Sequence, residues 1–569
     1  MVFLLVVFGA VAAAGIPVLV GGAAAVLALG LLFLFGHVMS LSAMAQSIAS
    51  MVALGIGIDY SLIIVSRFRE ELAKGREVRE AVAETTAHAC QAIVYSGLTV
   101  MIGFLALFIP NLIDTNSLAL AGSLTVLVAV LLATTLLPAV LGVLGRWVDW
   151  PFQLSRAVGR FKTDHLWYNW AREVMKHRVR YLVLGTIVML AFSIPAFTVV
   201  FGQFSSKFLP PGMESGYGLV ELEKMGQAGR LYPISVVVTA NDDTKVFTPA
   251  ALKAFAGVVK DLRDEPVVEE VHSIVENAST LILMNNLFFN GDVKALRDRF
   301  PEAASLLISE DGRGTVIQLI VKNDAGYGDI KAFTRSLQQK DWSQVPGLAN
   351  FTVEVGGYAA TNNDFEHAVL SALPKVVATV FLVTFVLLAI SFRSVVLPLK
   401  ALVMNTLSVA ASFGALVLVF QHGVGATWIG LPGGLGNMLV AVPIVIFCCI
   451  FGLSMDYEVF LLSRIQEEYE ISGDNEQAVA AGLASTGALI TNAAMIMLLV
   501  FGAFIAANVV LTKQLGFGLA VAVLLDALII RMMLVPSFMA IVGDWNWWPN
   551  AKKKPGAVTA AREEVGAPR

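Results

Sequence analysis

Charge is scarce in this chain. Asp, Glu, Lys and Arg make up 14% of its 569 residues, where a soluble globular chain carries roughly 25%. With 57% hydrophobic residues and a mean hydropathy of +0.75, most of the chain must face lipid or other helices rather than water. A net charge of -4 offers no electrostatic footprint for nucleic acid. Cysteine is nearly absent: Cys90, Cys448 and Cys449 all sit in apolar runs, which excludes a disulfide framework and makes them small buried hydrophobes. His37, His88 and His422 show no metal-ligand spacing, and no G-x-x-x-x-G-K-[ST] loop occurs. Neither a metal nor any other cofactor is expected, and ATP is not the evident energy source.

What the chain has is long apolar runs. A spanning helix needs about 20 mostly apolar residues. Ten runs qualify: Pro17–Phe35, Ala45–Val65, Ala92–Ile109, Leu118–Val143, Tyr181–Phe201, Val376–Ser391, Leu397–Phe420, Met438–Leu462, Ala481–Phe504 and Leu515–Val542. Met1–Phe8 is apolar but too short to span, and reads as the tail of a helix. It lacks the basic flank of a secretory signal. Lys and Arg gather in Arg67–Arg79 and Arg146–Arg180, at Arg393, Lys400 and Arg464, and in Lys552–Lys554. The alternate short loops, Gly36–Met44, Pro110–Ser117 and Gln421–Asn437, contain none. The basic set is therefore cytoplasmic, and the chain is expected as a multi-pass protein of the cytoplasmic (inner) membrane.

Residues 1–149 hold the first set of helices, 150–180 a Trp- and Arg-rich cytoplasmic linker suited to an amphipathic helix on the inner leaflet, and 181–202 a further span. Residues 203–371 read as an external α/β domain, 372–543 as the second set of helices and 544–569 as a cytoplasmic tail. In the polar domain, strands are expected at Pro233–Ala240, Val267–Val275, Thr315–Val321 and Phe351–Gly356, and helices at Pro249–Arg263 and Asp329–Lys340, with a Phe/Asn-rich insertion between the halves. Two successive β-α-β units predict a split βαβ arrangement.

The helical parts repeat. GIGIDYSLIIVSRFREE, from Gly55, aligns with GLSMDYEVFLLSRIQEE, from Gly452, at a shift of 397 positions. LLPAVLGVLGRWVDWP aligns with LVPSFMAIVGDWNWWP at a shift of 398. Both copies run the same way, so the duplication is parallel. The second copy is preceded by an outgoing helix and the polar domain. The first copy has neither, so the chain reads as about three quarters of a symmetric protein.

An ionisable group deep in a spanning helix is functional by default. Asp59 lies eight residues before Arg67, roughly 12 Å inside the membrane at about 1.5 Å per residue. Asp456 sits at the same depth by the repeat. Two buried carboxylates at matched depth can load and release protons, and the adjacent Tyr60 and Tyr457 hydroxyls can donate to them. Arg531 falls at a similar depth and is expected to neutralise an aspartate of a neighbouring helix. Asp526, five residues earlier, lies about 140° round an α-helix from it. The first copy has Ala133 and Val128 at these places. Ser96 and Asn492, one step out of register with each other, are further polar groups for an accessory relay or for interhelical contact. Gly55, Gly57 and Gly452 allow close helix approach.

GIGIDYSLIIVSRFREEL, GLSMDYEVFLLSRIQEEY, LLDALIIRMMLVP and the closing NWWP resemble the MMPL family (mycobacterial membrane protein large) of the resistance-nodulation-division (RND) superfamily. The resemblance covers essentially the whole chain. It implies a polytopic RND-type helix bundle with one external porter domain, and proton-driven export of lipids or other hydrophobic molecules, with Asp59, Tyr60, Asp456 and Tyr457 as the proton relay. Family members have twelve helices and two porter domains. The chain departs by lacking the first helix, the first porter domain and part of the second helix. A separate polypeptide or a homo-oligomer is then the expected partner, besides membrane lipids and a lipid substrate. Alternatives are a drug-efflux pump and a non-transporting subunit or remnant. An intramembrane aspartyl protease is disfavoured, because the order is Asp-Tyr in both copies and no Pro-Ala-Leu segment is present.

Overall fold

The computed structural model describes residues 2–151, 164–202, 208, 213–243, 246, 248–275, 294, 298 and 307–549. The Phe/Asn-rich insertion, the linker between 152 and 163 and the tail lysines Lys552–Lys554 lie outside the described residues. The chain forms two units, Met1–Val200 with Ser371–Arg569, and Phe201–Leu370.

In hydrocarbon every backbone polar group must be satisfied within its own segment, so apolar runs of this length fold as helices. In chain order these are α1 (Val2–Phe8), α2 (Val11–Phe35), α3 (Met44–Ala73), α4 (Val78–Phe108), α5 (Ile113–Asp149), α6 (Asp164–Lys176) and α7 (Arg178–Thr198). Helix α6, from the linker, buries Ala171 and Val174 and packs on helices of the second copy.

The second unit runs α8 (Glu214–Lys224), β1 (Ile234–Ala240), α9 (Pro249–Arg263), β2 (Val268–His272), β3 (Gly314–Val321), α10 (Tyr327–Gln339) and β4 (Phe351–Gly357). Its sheet has the order β2-β3-β1-β4, with every pairing antiparallel. The strands of each β-α-β unit are thus separated by a strand of the other, which is the split arrangement expected. Strand β1 buries Ile234, Val236, Val238 and Ala240 in strict alternation, the period of a half-buried strand. Thr248 caps α9 by accepting from the Ala251 amide at 3.3 Å. Phe255 meets Phe351 edge-on at 5.4 Å in the core. At the edge, Arg230 holds both oxygens of Glu270, at 2.7 and 3.0 Å.

The chain then continues as α11 (Tyr358–Phe392), α12 (Val396–Gln421), α13 (Ala441–Ser472), α14 (Asn475–Ile505) and α15 (Val510–Trp547). Among the described residues ten helices are long and apolar enough to cross a membrane, and each of the ten runs expected from the sequence falls on one of them. Helices α2–α5 repeat as α12–α15. The correspondence extends to the backbone: Val11 N–H bonds the Trp150 carbonyl at 2.9 Å, and Val395 N–H bonds that of Trp548 at 3.0 Å. Gly145 and Gly543 take positive φ (+51° and +62°) where both last helices pass into their terminal turns.

Helices α3 and α13, which carry the Asp-Tyr pairs, are central, with 83% and 88% of their most apolar stretches buried; α7 and α11 have only 17% and 22%. Glycine lets the backbones meet there. A Cβ on Gly57 would lie 2.7 Å from the Gly21 Cα of α2, and one on Gly452 would lie 2.8 Å from the Val100 Cα of α4.

Candidate functional site

The two repeats are joined at their Asp-Tyr pairs. Asp59, on α3, is 2% exposed. Its Oδ1 accepts a hydrogen bond from the hydroxyl of Tyr457 on α13, the tyrosine of the other copy. The same hydroxyl lies 3.1 Å from the Met497 sulfur on α14. Tyr60, whose hydroxyl the sequence also offers to an aspartate, bonds Ser96 of α4 at 2.9 Å. Successive helical residues point about 100° apart, so Asp59 and Tyr60 face different neighbours. Pseudo-symmetry brings the partner from across the bundle. Asp456 occupies the matching position of α13, and its side chain lies outside the described ones.

Arg531 reaches two elements at once. Its Nε and Nη2 donate to Asp526 Oδ2 at 2.9 and 2.5 Å, and Nη2 also donates to the Ser454 carbonyl of α13 at 2.5 Å. Its guanidinium lies 4.7 Å from the centre of the Tyr457 ring, within cation–π range. A regular α-helix would place Asp526 on another face from Arg531, but the two share one face. Residues Asp526–Leu534 form a π-helical stretch of α15. A π turn closes on i+5, which brings residues five apart onto one face. The first copy has a shorter π turn at Leu132–Leu136, without the charges. Trp170 of α6 donates to the Met532 carbonyl of the π stretch at 2.9 Å.

Sequence reasoning missed a second ion pair. Lys400 Nζ lies 3.0 Å from Glu458 Oε1, with both side chains almost wholly buried. The Lys/Arg bias marks Lys400 as a basic residue of the cytoplasmic side. Its ammonium is instead drawn into the bundle by the acid that follows Tyr457, and the Tyr457-Glu458 step in the second copy, against Tyr60-Ser61 in the first, was the available signal. Ser454 adds a bond to Asn405 Oδ1 at 3.1 Å. Ser96 joins the site through Tyr60. Asn492 is half-buried on α14 and makes no hydrogen bond to the cluster among the described residues. Its one-residue offset from Ser96 turns it about 100° away.

Among these five described side chains, two cations meet three acids. Lys400 takes Glu458 and Arg531 takes Asp526. Asp59 accepts from a neutral hydroxyl and interacts with Arg531 only through space. An unpaired buried carboxylate is costly as an anion, and a proton removes that charge. Tyr457, Ser454, Asp526 and Arg531 also line a cavity of about 20 Å³, measured to the centre of a water, which is room for about one such molecule.

The family model of the MMPL family matches residues 1–180 and 207–562. The chain belongs to the MMPL family. This member is 33% identical to the mycolic acid-containing lipids exporter MmpL11 of Mycolicibacterium smegmatis, over 96% of its own length and 54% of the relative's. It is 32% identical to the trehalose monomycolate exporter MmpL3 of Mycobacterium tuberculosis, over 96% and 57%. A further relative at 32% identity, MmpL11 of Mycobacterium tuberculosis, is named a heme uptake protein and is covered over 53%. The chain thus spans little more than half the length of these curated relatives. Its fold is shared with the hedgehog release protein Disp from a water bear, Hypsibius dujardini: that cryo-EM structure superposes with a TM-score of 0.65 at 15% identity, over 95% of this chain and 69% of that one. The MMPL chain is a multi-pass protein of the cell membrane.

Proposed function

We propose that this chain exports lipids or other hydrophobic molecules from the cytoplasmic membrane, and that proton flow through Asp59 drives it. The observation that carries the reading is the hydrogen bond from Tyr457 to Asp59, because it links the two repeats through a group that can change its charge. As an anion, Asp59 accepts from Tyr457. Once protonated it has an O–H of its own to donate, and the charge-assisted part of that bond is lost. Loading and unloading one proton therefore changes the strength of a contact between α3 and α13. The two copies have a parallel layout and can shift against each other as rigid halves, as repeat-built transporters do. Arg531 holds the second side of the contact: it fixes Asp526 and Ser454 on one flank and faces the Tyr457 ring on the other. The substrate class rests on the relatives named as exporters of mycolic acid-containing lipids and trehalose monomycolate.

The test is transport of trehalose monomycolate by the chain reconstituted with the partners that co-purify from its membrane, under an imposed pH gradient. Parent protein should transport only with the gradient, and Asp59→Asn should abolish transport while leaving the folded protein intact. Transport that persists in Asp59→Asn, or that ignores the gradient, would refute proton drive through this residue.

A further inference from the structure

The Lys400–Glu458 pair is not used by the reading above, and its surroundings are unusual for a structural ion pair. Lys400 Nζ and Glu458 Oε1 approach to 3.0 Å, yet neither atom has hydrogen-bond geometry to a protein partner. Asn405 Nδ2 and Ser408 Oγ on α12 and Arg531 Nη1 on α15 also lack protein partners, although all three residues are buried. Buried polar atoms are rarely left unpaired, since each forgoes the hydrogen bond it would make to water. Five of them on three mutually packed helices mark a strip made for small polar occupants, and water is the general one.

The strip runs along the membrane normal. Lys400 is four residues and Asn405 nine from the start of α12 at Val396, or about 6 and 14 Å at about 1.5 Å per residue. Glu458 and Ser454 precede Arg464 by six and ten residues, or about 9 and 15 Å by the same rise. Ser454 is one helical turn from Glu458 on the same face, bonds Asn405 at 3.1 Å, and receives Arg531 on its carbonyl. Polar groups therefore descend from the Asp526–Arg531 pair, through Ser454 and Asn405, to Glu458 and Lys400 near the side that the Lys/Arg bias makes cytoplasmic. Among the described side chains, the charged groups shown to interact with Glu458 are Lys400 from α12 and Asp526 from α15, which is itself paired with Arg531. Helices α4 and α14, also packed on α13, carry no ionisable acid or base within Gln91–Leu105 except Tyr95, nor within 477–505. The first copy has Ser61 in place of Glu458, so the strip belongs to the second copy alone.

We infer that Glu458, held against Lys400, is a further proton-carrying group of this transporter and connects the Asp59–Tyr457–Arg531–Asp526 cluster to the cytoplasmic face. The inference rests on the proton-driven reading. The Glu458 carboxylate takes up one proton from the cluster side, forming one O–H bond, and returns to the carboxylate when that proton passes to water at the inner face. Lys400 stays charged throughout and draws the carboxylate back to its place.

The test uses the full chain in vesicles containing the pH dye pyranine, with a fluorescent trehalose fatty-acid monoester as transport probe under an imposed pH gradient. Glu458→Gln should lower proton entry and probe transport together by at least tenfold, and Glu458→Asp should keep most of both. The decisive variant is the double substitution Lys400→Met/Glu458→Gln, which buries no uncompensated charge and so keeps the test open if Glu458→Gln fails to fold. A merely structural pair would be rescued by it, whereas a proton carrier would not. Parental rates in the double variant, with Asp59→Asn inactive, would overturn this inference alone. Parental rates in Asp59→Asn would overturn it together with the reading beneath it.

Discussion

Tyr457→Phe isolates the contact between the repeats. It removes one oxygen, leaves the ring that Arg531 covers at 4.7 Å, and deprives a carboxylate that is 2% exposed of its neutral donor. A hydrogen bond to a charged group is worth about 1.5–3 kcal/mol and one between neutral groups about 0.5–1.5 kcal/mol. Asp59→Asn keeps an accepting oxygen in place but removes the charge. Tyr457→Phe should therefore destabilise the parent by about 2 kcal/mol and the Asp59→Asn protein by about 1 kcal/mol, a coupling of about 1 kcal/mol. Reversible unfolding in mixed micelles, followed by circular dichroism for the four proteins of the cycle, measures it. Costs equal in the two backgrounds to within about 0.3–0.5 kcal/mol, the limit of simple additivity, would show that Tyr457 does not respond to the charge of Asp59. The coupling of the repeats by protonation would then fail.

Arg531→Met leaves Asp526 buried without its cation and should cost about 3–5 kcal/mol, with Arg531→Met/Asp526→Leu recovering much of it in a thermal unfolding assay. Gly57→Ala puts a methyl 2.7 Å from the Gly21 Cα and should cost about 1–3 kcal/mol through forced helix separation, whereas Gly22→Ala, with nothing within 4 Å of its added carbon, should be silent in the same assay. In the α/β unit, the Arg230 hydrogen bond holds the Glu270 carboxyl below its ordinary range. Its contribution is therefore present above the ordinary carboxyl range and lost as pH falls through the lowered folded value. Both groups are well exposed, so Arg230→Ala should cost less than about 1 kcal/mol, and only above that acidic window. Hydrogen exchange of β2 at neutral and acidic pH checks the sign.

Hydropathy made the ten spans legible, because length and apolarity are set by the bilayer and leave little to tertiary context. The four strands were legible for a similar reason: Ile234–Ala240 alternates on a two-residue period that only a half-buried strand satisfies. The burial of Asp59 was legible from its place inside an apolar run, but its partner on the second copy was not. Adjacency in sequence pointed to Tyr60, and helical rotation gave the place to Tyr457. The Asp526–Arg531 pair was hidden because the regular α period was assumed, and Asp526–Leu534 departs from it as a π stretch. Lys400 was hidden because a lysine four residues inside a helix start looks like a loop marker until its acid on another helix is known. The α-helical period and the hydrophobic pattern are local properties, while each of these three contacts depends on a neighbour brought in by packing or on a local change of helix pitch.

The most direct measurement of the central claim is proton binding at Asp59 itself. Infrared difference spectra between acidic and alkaline pH should show a protonated carboxyl stretching band in the reconstituted parent. One component of that band should be lost in Asp59→Asn and shifted in Tyr457→Phe, where its hydrogen-bond partner is gone. An unchanged band in Asp59→Asn would place the titrating carboxyl elsewhere and contradict the account.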